Sequence, residues 1–178
     1  NGDVYEGSFA ADKPSGEGKL TYAGGDVYEG GFAKGKKSGT GKYTFTDGST
    51  YEGGFADDMK NGEGKYTFAD GSTYEGSYAD DAKSGKGIYR YANGDVYDGE
   101  FADDMRSGNG TYIFASGEVY TGEFKNNTMW GRGTLTYPDG RTYEGYFEDG
   151  LIVRAEDQNT GSDTGTDNTS DTTADTDA

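Results

Sequence analysis

The sequence lacks two residue types on which much enzyme chemistry depends. There is no cysteine and no histidine among its 178 residues. The first absence excludes disulfides, thiol nucleophiles and thiolate metal sites. The second removes the commonest metal ligand and the commonest general base near neutral pH. The sequence therefore predicts a protein that is not an enzyme and that has no cofactor or metal site.

Hydrophobic and basic residues are also scarce. Only 30% of the chain is hydrophobic, and no stretch approaches the run of about 18 apolar residues that indicates a transmembrane helix. Lys and Arg number 16 against 33 Asp and Glu, which gives a formal net charge of −17. Such an excess repels nucleic-acid phosphates and anionic lipid, so we expect no nucleic-acid partner and disfavour peripheral binding to acidic lipid.

Glycine and aromatic residues, in contrast, are abundant, and both follow one period. The chain has 33 Gly, 16 Tyr, nine Phe and one Trp, too many rings for a disordered chain. The triplet Tyr-x-Gly recurs every 23 residues from Tyr5 to Tyr143, and a second ring follows four residues after each Tyr. We expect these paired rings to form the core of a tandem repeat: Tyr28, Phe32, Tyr51, Phe55, Tyr74, Tyr78, Tyr97, Phe101, Tyr120, Phe124, Tyr143 and Phe147.

Each unit reads as a β-hairpin. Segments 50–55 and 62–68 alternate in polarity with period two, and the Asp-Gly dipeptide at 47–48 is a strong hairpin signal. If Phe45 and Tyr51 are to share a face, the loop between their strands needs an odd number of residues. This parity favours a three-residue turn in which a left-handed glycine forms a G1 bulge.

The other connection of each unit is longer, at 56–61 in the third unit. Its third position is Asp, Asn or Gly in every unit, and these residues best tolerate a positive φ. We therefore interpret Asp58 as a backbone requirement, with metal binding or recognition as the alternative. The adjacent carboxylates Asp57 and Asp58 recur identically, whereas a catalytic pair needs two different environments at one site. Calcium stays open as an alternative here and at 163–167, although no segment has EF-hand spacing.

Strand alternation gives the predicted sheet two unlike faces. Tyr51, Gly53 and Phe55 share one face with the glycines and rings of the next strand. The opposite face carries Glu52 and Lys65, where cross-strand Glu–Lys and Thr–Thr pairs are expected. The glycines leave room for neighbouring rings and let the sheet twist and curl, so no helix is needed to cover the aromatic face.

The pattern Tyr-Glu-Gly-x-Phe…Gly-x-Gly…Tyr-x-Phe-x-Asp-Gly at period 23 resembles the MORN (membrane occupation and recognition nexus) repeat. One departure is that this family often has Asn-Gly in the longer connection, where this chain mostly has Asp-Asp. The resemblance implies an all-β fold: an elongated single-layer antiparallel meander of MORN hairpins with about 13 strands. Some proteins of this family join the repeats to a kinase, a methyltransferase or a membrane anchor, and this chain encodes no such domain.

Composition divides the chain in two. Residues 1–153 are the predicted MORN array, with six full repeats and partial end units, in which Leu151, Ile152 and Val153 extend and cap the final strand. Residues 154–178 are rich in Asp and Thr and have no aromatic residue, which predicts an acidic, disordered tail.

These observations favour a repeat scaffold or spacer that binds a protein partner or a second copy of itself, possibly as an end-to-end homodimer. The alternative is a membrane-proximal tethering or lipid-binding module whose anchor lies outside this chain. Met129, Trp130 and Tyr146 break the repeat pattern and are the candidate partner-binding residues; covering the open end of the array is an equal alternative. A cytoplasmic protein and one exposed on a bacterial surface through an upstream segment both fit this composition.

Overall fold

A computed structural model describes residues 2–153 of the protein. They form one open antiparallel sheet of 14 strands, in which every strand pairs with its neighbours in sequence. This confirms the predicted all-β meander in a single layer. The strands are β1 (Val4–Ala10), β2 (Lys13–Thr21), β3 (Val27–Ala33), β4 (Lys36–Thr44), β5 (Thr50–Ala56), β6 (Met59–Thr67), β7 (Thr73–Ala79), β8 (Ala82–Arg90), β9 (Val96–Ala102), β10 (Met105–Ile113), β11 (Val119–Lys125), β12 (Thr128–Thr136), β13 (Thr142–Glu148) and β14 (Leu151–Val153).

The C-terminal end of the sheet differs from the prediction. Leu151–Val153 does not extend the preceding strand but forms β14, which pairs Ile152 with Phe147 of β13. The reason is that Asp149 and Gly150 both have positive φ, 48° and 81°, and reverse the chain. The predicted disordered tail, 154–178, lies outside the described residues.

The turn from an even to an odd strand has the predicted three-residue form. In the β4–β5 turn the Phe45 amide donates to the Ser49 carbonyl at 3.0 Å, and the Gly48 amide donates to the Phe45 carbonyl at 3.1 Å. Gly48 has a φ of 88°, which an L side chain rarely adopts. This geometry is the type I turn with a G1 bulge, and it keeps Tyr43 directly opposite Tyr51.

The connection within each unit is shorter than predicted. Ala56 pairs with Met59, so Asp57 and Asp58 alone form the turn between β5 and β6. Their φ values of 50° and 77° confirm the backbone interpretation of Asp58 and extend it to Asp57. The other residues of the predicted connection belong to β6, where they form a β-bulge. The register shifts between Gly53 and Phe55, so β6 has more residues in this stretch than β5.

The first tyrosine of each unit explains the recurring glycines. A Cβ built on Gly53 would lie 2.5 Å from the Tyr51 hydroxyl and 2.5 Å from the Gly64 Cα, and one on Gly64 would lie 2.4 Å from the same hydroxyl. The Tyr51 ring thus lies flat over two paired glycines, and its hydroxyl donates to the Gly54 carbonyl at 3.0 Å. Glycine is required at both positions because the ring occupies the place of the missing side chains.

The buried rings form one continuous edge-to-face chain along the sheet. Tyr51 packs against Phe55 of its own strand at 5.2 Å between centroids and against Tyr78 of the next unit at 5.1 Å. Contacts of this geometry stabilise beyond the area they bury, by roughly 0.5–1.5 kcal/mol each. Tyr143, at the end of the array, is half-buried. The buried rings are Tyr28, Phe32, Tyr51, Phe55, Tyr74, Tyr78, Tyr97, Phe101, Tyr120, Phe124 and Phe147.

Candidate functional site

Beside the buried chain runs a second row of rings that remains partly exposed. Within a unit its two rings lie close together, as in Tyr66 and Phe68 at 4.4 Å between centroids. Between units the spacing stays within contact, as in Phe68 and Tyr89 at 5.5 Å. We call this row the ring ladder: Tyr22, Tyr43, Phe45, Tyr66, Phe68, Tyr89, Tyr91, Tyr112 and Phe114.

Cations project onto the same aromatic face, one per unit. Lys60 pairs with Phe55 across the β5–β6 hairpin, and its Nζ lies 5.4 Å from the Tyr66 ring centroid and 5.3 Å from that of Tyr78. A cation held over ring faces is attracted by the ring quadrupole, by roughly 0.5–2 kcal/mol. The cation column consists of Lys37, Lys60, Lys83 and Arg106, and Met129 occupies the next register position.

Burial governs the electrostatics of this column. It lowers the pKa of Lys37 and of Lys60 below the ordinary lysine value, and the Asp81 carboxylate opposes this shift at both. Burial also raises the pKa of Tyr43, which donates its hydroxyl to Asp26 at 2.9 Å. The Tyr43 hydroxyl is therefore a neutral hydrogen-bond donor at physiological pH. The surface between the ring ladder and the cation column, which we call the groove, is apolar with a few fixed polar atoms.

Turn residues join each unit to the one before it. The Asp58 carboxylate accepts from the Lys37 amide at 2.8 Å, and the Asp58 amide donates to the Lys37 carbonyl at 3.1 Å. Asp81 and Asp104 contact Lys60 and Lys83 in the same two ways. These carboxylates therefore act structurally, and they also place negative charge beside the cation column. A further turn residue, Asp57, forms an ion pair with Lys36.

Two equivalent open cavities of about 220 Å³ lie beside the ladder and the column. The N-terminal cavity is lined by Lys37, Tyr43, Phe45, Tyr51, Phe55, Asp58, Lys60 and Asp81. The C-terminal cavity is lined by Arg106, Tyr112, Phe114, Phe124, Asn127, Thr128, Met129 and Gly150. The residues of the second set lie three units after those of the first set, apart from one residue in each set. The two sites therefore share their architecture and differ in some of their side chains.

The opposite face has the predicted polar pairs. Lys42 and Glu52 form an ion pair at 2.7 Å, and Lys19 and Glu29 form one at 3.1 Å. These pairs are exposed, so each contributes little to stability. This face offers charge without an apolar floor, which makes the aromatic face the stronger candidate for binding.

The three predicted partner-binding residues do not lie together. Met129 lines the C-terminal cavity of the aromatic face. Tyr146 is 50% exposed and pairs with Arg132, whose guanidinium lies 5.4 Å from its ring centroid. Trp130 is half-buried beneath Lys125, whose Nζ lies 4.3 Å from its ring centroid. By strand alternation Tyr146 and Lys125 belong to the opposite, polar face. The role of Met129, Trp130 and Tyr146 in partner binding stays a prediction.

Sequence reasoning missed the cation column. The signal was present, because Lys37, Lys60, Lys83 and Arg106 recur with the same 23-residue period as the rings. They were overlooked because the predicted long connection placed them outside the strands, where a charged side chain needs no explanation.

Groups of three or more acidic side chains able to hold a metal ion do not occur within residues 2–153. The same part of the chain contains no helix with the length and hydrophobicity needed to cross a membrane.

Comparison with known proteins identifies the repeat. A family model described as MORN repeat matches six consecutive units, at residues 5–27, 28–50, 51–73, 74–96, 97–119 and 120–140. Among curated protein sequences no match is found.

Several solved structures are similar at low identity. The TCP domain of SAS-4 (dCPAP) from Drosophila melanogaster, in complex with a proline-rich motif of Ana2, has 16% identity and a TM-score of 0.47, covering 75% of this chain and 73% of that one. The TCP10 domain of Danio rerio CPAP with a STIL peptide has 15% identity and a TM-score of 0.41, covering 74% and 68%. Virginiamycin B lyase from Staphylococcus aureus has 13% identity and a TM-score of 0.20, covering 82% and 60%.

Proposed function

Because this chain belongs to the MORN repeat family and exposes a continuous row of rings along one face of its sheet, we propose that it is a non-catalytic scaffold that binds a protein partner along the ring ladder. The main evidence for this proposal is the ring ladder itself. Its rings are only partly buried, although the adjacent row of Tyr and Phe already supplies the core. This second apolar row packs against the core and keeps part of its surface open to a partner.

The dimensions of the ladder suit a peptide segment. Neighbouring strands lie about 4.8 Å apart, so one two-strand unit advances about 9.6 Å. The ladder runs through five successive units, from Tyr22 to Phe114, which gives a length of roughly 40 Å. An extended peptide of about 12 residues covers that distance.

Self-association is a second form of the proposal, favoured by the exposed apolar strand β14. Leu151 is 72% exposed and Ile152 is 44% exposed, and an edge strand with open backbone groups can pair with another copy. Light scattering of the wild type and of Ile152→Lys and Trp130→Ala tests this idea. A dimer weakened by the first substitution supports pairing through β14, and monomers at every concentration contradict it.

Membrane tethering has less support from the side-chain arrangement. The local basic cluster at 34–37 is divided, because Lys36 pairs with Asp57 at 3.1 Å and Lys37 turns over the rings of the groove. These two contacts reduce the charge that this cluster can present to an anionic leaflet. Salt-sensitive flotation with anionic vesicles would reverse this argument.

A selection from random 12-residue peptides displayed on phage tests the groove directly. We expect binders whose affinity falls at least about tenfold with Phe68→Ser, since removal of a central ring is a hot-spot change. Lys65→Ala, on the polar face, is the matched control and should leave affinity unchanged. Failure to select any binder, or binders that respond to Lys65→Ala and not to Phe68→Ser, would contradict the proposal.

A further inference from the structure

The two equivalent cavities of the groove carry different charge. In the N-terminal cavity two cations, Lys37 and Lys60, face two carboxylates, Asp58 and Asp81, so the formal charges cancel. In the C-terminal cavity Arg106 is the only charged lining residue among residues 2–153. The same pocket is therefore neutral at one end of the array and cationic at the other.

Three substitutions in register produce this difference. Asn127 stands where the first cavity has Asp58, Met129 where it has Lys60, and Gly150 where it has Asp81. Asn127 keeps the backbone role of the aspartate, since its Oδ1 accepts from the Arg106 amide at 2.8 Å and its own amide donates to the Arg106 carbonyl at 3.1 Å. The turn geometry is preserved while the negative charge is removed.

Beyond the lining residues, an equivalent carboxylate lies beside each cavity. Asp95 accepts from the Tyr112 hydroxyl at 2.7 Å beside the C-terminal cavity, and Asp26 accepts from Tyr43 at 2.9 Å beside the N-terminal one. Each therefore contributes alike at its own site, and the contrast comes from the lining residues.

The surroundings of Arg106 prepare it for one anionic group. Its guanidinium carbon lies 5.0 Å from the Tyr112 ring centroid and 5.7 Å from that of Phe124. Its Nη2 donates to the Asn127 carbonyl, and its Nε is buried and has no hydrogen-bond partner within the described part of the chain. The remaining N–H groups of this positioned guanidinium can form a charge-assisted pair with a carboxylate.

We propose that the C-terminal cavity of the groove binds an acidic side chain of a partner peptide, with an apolar neighbour of that side chain packed on Phe114, Phe124 and Met129. The proposal rests on the proposed function, because it names the chemistry that one part of the ladder selects. Charge complementarity identifies the acidic residue, and the apolar wall identifies its neighbour. This chain's own segment 154–178 is acidic but has no aromatic residue and no Leu, Ile, Val or Met, so it lacks the apolar partner for that wall.

Backbone-amide NMR titration of the full chain tests the proposal with three peptides, acetyl-Gly-Leu-X-Leu-Gly-amide, where X is Glu, Gln or Lys. We expect the Glu peptide to shift Arg106, Asn127 and Met129 and to bind at least about tenfold more tightly than the Gln peptide, the size expected of a charge-assisted hydrogen bond. Asn127→Asp should weaken the Glu peptide by a similar factor. This variant is safe for folding because Asp104 holds the equivalent turn one unit earlier.

A gain-of-function variant guards against indirect effects. Replacing the N-terminal set by Lys37→Arg, Asp58→Asn, Lys60→Met and Asp81→Gly should create a second site, so that the Glu peptide also shifts the amides around residue 58. Equal binding of the Glu and Gln peptides, or no effect of Asn127→Asp, would overturn the proposal. Binding that appears only after residues 154–178 are removed would overturn it as well and assign the cavity to this chain's own acidic segment. In each case groove binders from phage would leave the proposed function intact, and their absence would remove both.

Discussion

Asp81 and Lys60 are joined by two hydrogen bonds between successive units. The Lys60 amide donates to the Asp81 carboxylate at 2.8 Å, and the Asp81 amide donates to the Lys60 carbonyl at 3.0 Å. Asp81 makes these contacts from a turn with a φ of 71°. One residue thus meets two demands, a left-handed backbone and an acceptor for the preceding unit.

Substitutions at Asp81 separate these demands. Asp81→Asn should change the free energy of unfolding by less than about 0.5 kcal/mol, because Asn127 already fills this role. Asp81→Gly keeps the backbone but removes the acceptor, which should cost about 1 kcal/mol. Asp81→Ala should cost about 1 kcal/mol more, since alanine is strained at positive φ. Urea unfolding followed by circular dichroism measures all three, and an Asp81→Asn cost as large as that of Asp81→Ala would contradict the account.

The glycine pair beneath Tyr51 gives a second prediction. Gly53→Ala should destabilise the protein by at least about 2 kcal/mol, because the new methyl group would lie 2.5 Å from the Gly64 backbone. Gly24→Ala is the matched control, since nothing lies within 4 Å of its Cβ position, and it should change stability by less than about 0.5 kcal/mol. Similar unfolding midpoints for the two variants would show that the ring does not lie over the glycines as described.

The sequence predicted a feature correctly where a single residue meets a single local structural requirement. The period placed the rings, and parity placed the three-residue turn at Gly48. It did not predict features in which the requirement at one residue depends on a second residue far away in the sequence. Gly35 replaces Asp in the turn that contacts Pro14, and because proline has no amide hydrogen no acceptor is needed there. Such compensation between residues 21 apart is readable only once the register is known.

The candidate site shows the same division. The aromatic face followed from alternation, but the bulge that moves Lys60 opposite Phe55 depends on the length of the turn at Asp57 and Asp58. The sequence does not fix that length, because Asp favours several turn types. Without the correct turn length, neither the cation column nor the charge difference between the two cavities could be predicted.

Lys60 of the cation column should tolerate replacement by an apolar residue but not by an acidic one. Lys60→Met should change the free energy of unfolding by less than about 1 kcal/mol, because the attraction of the ammonium to the rings opposes the cost of its burial, and Met129 occupies this register. Lys60→Glu should cost at least about 2 kcal/mol, since it places an unpaired carboxylate against ring faces and near Asp81. Thermal unfolding compares the two, and equal losses would contradict a role for charge.

Alkaline pH should unfold the array through its buried tyrosines. Burial raises the pKa of Tyr51 from its ordinary 10.0 to about 12 and that of Tyr120 likewise to about 12. The folded protein therefore holds protons that the unfolded chain releases between pH 10 and about 12, so stability is full below pH 10 and falls through that window. Burial lowers the pKa of Lys60, which acts in the opposite direction, but the affected tyrosines are more numerous.

The measurement is the urea midpoint as a function of pH, read together with tyrosinate absorbance. Absorbance from the buried rings should appear only as the protein unfolds. A folded sheet that persists after all tyrosines have ionised would contradict the burial of these hydroxyls.

Photocrosslinking in the source cell can show whether partners contact the ring ladder. A benzophenone amino acid is placed either at Tyr91, within the ladder, or at Thr121, on the opposite face, and each variant is first checked for wild-type stability. The account predicts crosslinked partner protein from position 91 and little or none from position 121. Crosslinks from position 121 with none from position 91 would contradict it.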